Sequence, residues 1–183
     1  MTQKTMRIVM TGALLLAALH TSGLSAKLPD AEALKIETPP QIDGILNEPF
    51  WAKTKSLGEF TLWSGSEKGR PTADTNVRLA YDDTWLYLGL ECTNQLQKLI
   101  LAPKVKEHDG SVNTDESVEI FLTSDPRDKV YYHFLLSCFN VKAEQRFIEG
   151  QRERQTWNLP WRSATVVTEN GWFAARPSGT EDI

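Results

Sequence analysis

From residue 75 onward, apolar and polar positions alternate with the period of two that marks a half-buried strand. Residues 75–81 set Val77, Leu79 and Tyr81 against Asn76, Arg78 and Ala80. Residues 85–92 put Leu86, Leu88, Leu90 and Cys92 on one side, and Asp82-Asp83-Thr84 between the two runs is turn chemistry, so a hairpin is predicted. In residues 117–122, Val118, Ile120 and Leu122 share a face opposite Glu119 and Phe121. In residues 131–139, Tyr132, Phe134, Leu136 and Cys138 oppose Tyr131, His133, Leu135, Ser137 and Phe139. Residues 164–167 and 172–174 flank Glu169-Asn170-Gly171, a second hairpin signal. Residues 144–155 are polar and mixed in charge, and read most simply as a solvated hairpin or loop.

Helical periodicity is short wherever it occurs. Asn47 is placed to cap a short helix with Pro49 in its first turn and Phe50 and Trp51 packing inward. Leu96, Leu99 and Ile100 suit one turn before Pro103. Pro39-Pro40 stops regular structure, and residues 27–38 read as a linker or a first edge strand. Short strands at regular spacing with polar turns predict an all-β fold, an antiparallel β-sandwich of the immunoglobulin or jelly-roll kind with at most short helical turns.

The N-terminus follows a different pattern. Lys4 and Arg7 precede an uncharged, mostly apolar run over residues 8–19, and Ser22-Gly23-Leu24-Ser25-Ala26 offers small residues for cleavage. This is the layout of a secretory signal, and the apolar run is too short to span a bilayer as a helix. The reading is therefore a signal peptide over 1–26, a linker over 27–35, a sandwich over 36–175 and an irregular tail over 176–183. It places the protein outside the cytoplasm (secreted, periplasmic or at the cell surface), with no membrane span after cleavage. Removal of the signal takes away two basic residues, no acid, and all three methionines, Met1, Met6 and Met10.

Composition narrows the chemistry. The net charge is −4 and becomes more negative on cleavage, which gives no electrostatic case for nucleic acid. Two cysteines cannot form a disulfide framework or a Cys-rich zinc site. Cys92 and Cys138 fall on inward phases of two strands, where a bridge and buried free thiols are both compatible with export. G-x-S-x-G, a phosphate loop and a Cys–His nucleophile setting are all missing, and Glu116 and Glu119 point opposite ways on one strand, so no enzyme is predicted.

Several segments resemble the family 9 carbohydrate-binding module. Gln41-Ile42-Asp43-Gly44-Ile45-Leu46-Asn47-Glu48-Pro49-Phe50-Trp51 is similar to its "IDG-x-L-x-E-x-x-W" opening. Residues 75–89 resemble its first hairpin, and His108-Asp109-Gly110 through Asp115-Glu116-Ser117-Val118-Glu119-Ile120-Phe121 its acidic strand. Tyr131-Tyr132-His133-Phe134, Trp157-Asn158 to Trp161, and Gly171-Trp172 follow in order. The resemblance spans about residues 36–173. It implies a β-sandwich related to DOMON domains that binds polysaccharide or oligosaccharide without catalysis and is associated with carbohydrate breakdown by glycoside hydrolases.

The resemblance also implies a site. The hydroxyl-accepting Glu of such members corresponds to Glu119. The stacking Trp ahead of the acidic strand corresponds to Asn113, which cannot stack, and a polar or basic position after "Y-Y-x-F" corresponds to Leu135. A second stacking Trp belongs to C-terminal strands expected beyond Ile183, so one or more closing strands are expected to be missing. Trp63, Trp157 and Trp161 lie near loops and are candidate substitute platforms, whereas Trp51, Trp85 and Trp172 read as core. No cofactor is implied except structural calcium, which occurs in some relatives; Asp109, Asn113 and Asp115 match a calcium loop only loosely. Rival readings are a haem-binding, electron-transfer DOMON-type domain, with His108, His133 or a lysine as axial ligand, and a degenerate structural or partner-docking module. Oligomeric state is not legible in the sequence.

Overall fold

The computed structural model describes residues 31–58, 60, 71, 73–93, 103–125, 127, 129–153 and 157–174. Among them the strands form two sheets. The first sheet contains β1 (Leu34–Lys35), β2 (Thr75–Tyr81), β3 (Leu86–Thr93), β8 (Val166–Thr168) and β9 (Gly171–Ala174), in the order β1-β2-β3-β9-β8. The second contains β4 (Ser117–Leu122), β5 (Val130–Ser137), β6 (Lys142–Ile148) and β7 (Gln151–Arg152), in sequence order. All pairings are antiparallel except β1 with β2. Regular helix among the described residues is confined to 3-10 turns at Trp51–Lys53 and Val112–Thr114. The predicted sandwich is the observed architecture.

The main core lies between the sheets. Val77, Leu79, Leu90, Cys92, Trp172 and Ala174 from the first sheet meet Leu136 and Cys138 from the second. The outer face of the first sheet is covered as well. Ile36, Leu46 and Trp51 pack on Ala80 and Tyr87, so the segment leading into β2 closes this face. Gly89 allows the approach, because a Cβ there would sit 2.5 Å from Leu46 Cδ2. The β2–β3 turn is held by Asp82, whose Oδ1 accepts the N–H of Thr84 and of Trp85 and whose Oδ2 accepts the Tyr87 hydroxyl at 2.6 Å. That hydrogen bond holds the Asp82 carboxyl below its usual pKa.

Three local expectations change. The helix expected from Asn47 is only a 3-10 turn at Trp51–Lys53, where Thr54 N–H closes on Trp51 O in place of a further turn. Trp85 is exposed at the mouth of the hairpin rather than in the core. Residues 144–155 hold a hairpin and not a loop, formed by β6 and β7 with residues 148–152 exposed, but its base is not solvated, since Glu144 is buried. Glu144 is bonded to His108 and Trp161, and Arg146 lies beside Glu153 at 3.5 Å with its Nε left without a hydrogen bond among the described residues. Cys92 and Cys138 are buried free thiols, and burial pushes their pKa values up to about 12 and about 11.

Candidate functional site

The register of the second sheet decides which side chains share its outer face. Glu119 is paired with Leu135, Phe121 with His133, Leu135 with Ala143, His133 with Gln145, Tyr131 with Phe147, and Phe147 with Arg152. Directly paired residues point the same way. These residues therefore form one surface, opposite the face that carries Leu136 into the core.

One end of this surface is roofed. Val112, in the second 3-10 turn, is fully buried against Leu135 and Ala143, with Val105 and Val141 alongside. The roof is stapled by Asp115, whose two carboxylate oxygens accept the N–H groups of Lys104 and Val105, each at 3.0 Å. Asn113 is exposed on this turn.

The uncovered part holds the polar and aromatic groups. His133 Nε2 lies 2.8 Å from Glu119 Oε2. His133 is mostly covered, with its side chain 12% exposed, while that of Glu119 is 41% exposed. Burial lowers the His133 pKa, opposed by the Glu119 charge and hydrogen bond. The neutral ring then donates Nε2–H to Glu119, and Glu119 Oε1 makes no protein hydrogen bond among the described residues. The rings pair across strands: Phe121 stacks on His133 at 4.1 Å and Tyr131 on Phe147 at 4.6 Å. The surface thus combines a fixed carboxylate acceptor, an amide at Gln145, a guanidinium at Arg152 and a patch of aromatic carbon.

A family comparison fits this geometry. The family described as Carbohydrate family 9 binding domain-like matches residues 42–174, well over half of the chain. The chain belongs to that family. Comparison with curated proteins and with solved structures gives no match.

As a family 9 binding domain-like chain, it does not bring all the sequence-derived candidates together. Glu119 and Asn113 are on the same side of the second sheet. Trp157 and Trp161 are on the other side, where Trp157 packs on Tyr132 and Phe134 and Trp161 meets Phe134 edge-on. Lys142 Nζ also lies over the Trp161 ring at 5.1 Å. Trp63 lies outside the described residues. Of the Asp109–Asn113–Asp115 set, Asp115 is engaged with the backbone N–H groups of Lys104 and Val105.

The fold also contains an inter-sheet cavity of about 420 Å³, lined by apolar side chains including Leu88, Leu90, Ile120, Leu122, Phe134 and Trp161. Its described lining has no His, Lys, Met or Cys. His133 and His108 are instead bonded to Glu119 and Glu144. Phe147, Gln145 and Arg152 were not singled out from the sequence. The signal for them is the alternation of Ala143, Gln145 and Phe147 against Lys142, Glu144 and Arg146, which the high charge of the segment masks.

Proposed function

We propose that this domain binds carbohydrate on the uncovered outer face of the second sheet, with Glu119 as the central hydroxyl acceptor. The observation that carries this reading is the Glu119–His133 pair set among Phe121, Tyr131 and Phe147. A pyranose presents hydroxyl donors at its rim and C–H groups on its faces. Glu119 Oε1 is free for a hydroxyl while His133 holds Oε2 in place, and the aromatic patch matches the C–H surface. Gln145 and Arg152 add donors on the same face.

The role is binding without catalysis. Hydrolysis of a glycosidic bond needs two carboxyl groups about 5–9.5 Å apart across the bond. Among the paired positions of this face Glu119 is the one carboxylate, and its partner is an imidazole. The N-terminal sequence pattern supports export, and the proposal extends to a role beside glycoside hydrolases in polysaccharide breakdown, as the sequence resemblance implies.

Calorimetric titration against a panel of plant and algal oligosaccharides tests the reading. A hydrogen bond to a charged group contributes about 1.5–3 kcal/mol, so Glu119→Ala is expected to weaken binding roughly tenfold or more. Lack of saturable binding by the wild type to every glycan in the panel would overturn it.

A further inference from the structure

A second cluster of chemistry-bearing side chains lies at the edge of β6. β7 covers only the far end of that strand, through Phe147 and Ile148. Over the remainder the preceding loop takes its place, with Asp109 N–H donating to Lys142 O at 3.0 Å. This contact brings His108 and Asp109 against Glu144. His108 Nε2 lies 3.1 Å from Glu144 Oε2, and His108 Nδ1 lies 3.6 Å from Asp109 Oδ2. One donor atom from each of the three residues lies within 4.8 Å of the others.

Glu144 is the unusual member, because its side chain is only 2% exposed. Trp161 Nε1 donates to its Oε2 at 2.8 Å, the same oxygen that faces His108. Oε1 accepts no hydrogen bond among the described residues and is not sealed from solvent. Lys142 makes no hydrogen bond to Glu144; its Nζ donates to Trp161 O and lies over the Trp161 ring. Glu144 lines an open groove together with His108, Lys106, Asn140 and Asn158. A largely buried carboxylate with one oxygen free of protein partners, next to an imidazole and a second carboxylate, is a donor set suited to a cation.

We propose that His108, Asp109 and Glu144 bind a divalent transition-metal ion of the zinc class, in a site separate from the Glu119 surface. Imidazole nitrogen with two carboxylates suits zinc, whereas calcium and magnesium take oxygen ligands in larger number. Zinc–ligand bonds of about 2.0–2.2 Å need the three donors to draw in by about an ångström. The side chains of His108 and Asp109 are 47% and 35% exposed and are free to make that adjustment, while Glu144 is the fixed point. Trp161 acts as the outer partner that orients the Glu144 carboxylate, and the groove admits the ion and a water for the fourth position.

Chelator-treated protein titrated calorimetrically with zinc chloride, and separately with calcium chloride, tests the site. Cobalt(II) absorption serves as a spectroscopic probe of the ligand set. The expected result is one zinc per chain and visible cobalt bands. His108→Ala, at an exposed position with little effect on folding by circular dichroism, should weaken zinc about tenfold or more and abolish the bands. Asp109→Asn should weaken zinc to a smaller degree. His133→Ala should keep zinc affinity, which separates this site from the Glu119–His133 pair. A wild type that takes up no zinc, a wild type that takes up calcium in preference to zinc, or a His108→Ala protein with wild-type zinc affinity would each overturn the proposal.

Discussion

At the scale of the residue, the Glu119–His133 pair links fold to pH. The folded-state pKa of His133 lies below its usual 6.5, mainly through burial. Its neutral form is therefore favoured by folding, and the unfolded chain takes up protons first as pH falls. This contribution to stability is complete above about pH 6.5 and is lost as pH drops through the lowered folded value. Chemical denaturation between pH 7.5 and pH 5 should show wild-type stability falling. His133→Phe, which keeps the ring against Phe121, should have a shallower fall. An unchanged slope in the variant would assign the pH dependence to other groups. The pair was half legible in the sequence: Glu119 stood out by family pattern, and strand phase put His133 on the same side. What the sequence could not supply is the depth of burial that makes His133 neutral, since this depends on Phe121 stacking across the strand.

At the scale of the element, β9 depends on Gly171. The residue has φ +145°, and a Cβ there would come within 2.1 Å of Cys92 O on the neighbouring β3. Gly171→Ala should cost about 3 kcal/mol or more in urea denaturation, because the atom in the way is backbone and cannot step aside. A loss below about 1 kcal/mol would contradict the tight β3–β9 pairing. The Asn170-Gly171 turn and the strands on either side were legible because turn chemistry and alternation agree there. The β6–β7 segment was legible as a hairpin or loop, but its buried side was not, because its charged residues mimic a solvent-facing segment. Glu144 is buried only because Trp161 and His108 come to it from far along the chain, and nothing local announces such partners. The same blindness hid Phe147, Gln145 and Arg152 from the candidate site.

At the scale of the whole molecule, the two sheets use their faces differently. The first is buried on both sides over β2 and β3, one face against the second sheet and the other beneath Ile36, Leu46 and Trp51. The second is roofed at one end by Val112 and uncovered at the other. The architecture was read correctly from alternation, but the placement of the tryptophans was not fixed by it: Trp157 and Trp161 pack on the inner side of the second sheet, away from Glu119. Cys92 and Cys138 sit in the inter-sheet core with pKa values raised to about 12 and about 11. Both thiols should resist alkylation at pH 8 in the native protein and react after denaturation. Loss of thiol reactivity in the non-reduced denatured protein would reveal a bridge instead.

The central claim is that carbohydrate is held on the outer face of the second sheet around Glu119. An NMR titration of labelled protein with the best-binding oligosaccharide tests it most directly, because it reports position as well as affinity. Amide shift changes concentrated at Glu119, Phe121, Tyr131, His133, Gln145 and Phe147, and lost in Glu119→Ala, are the predicted result. Changes centred on Trp157 and Trp161, with the Glu119 face unaffected, would contradict it.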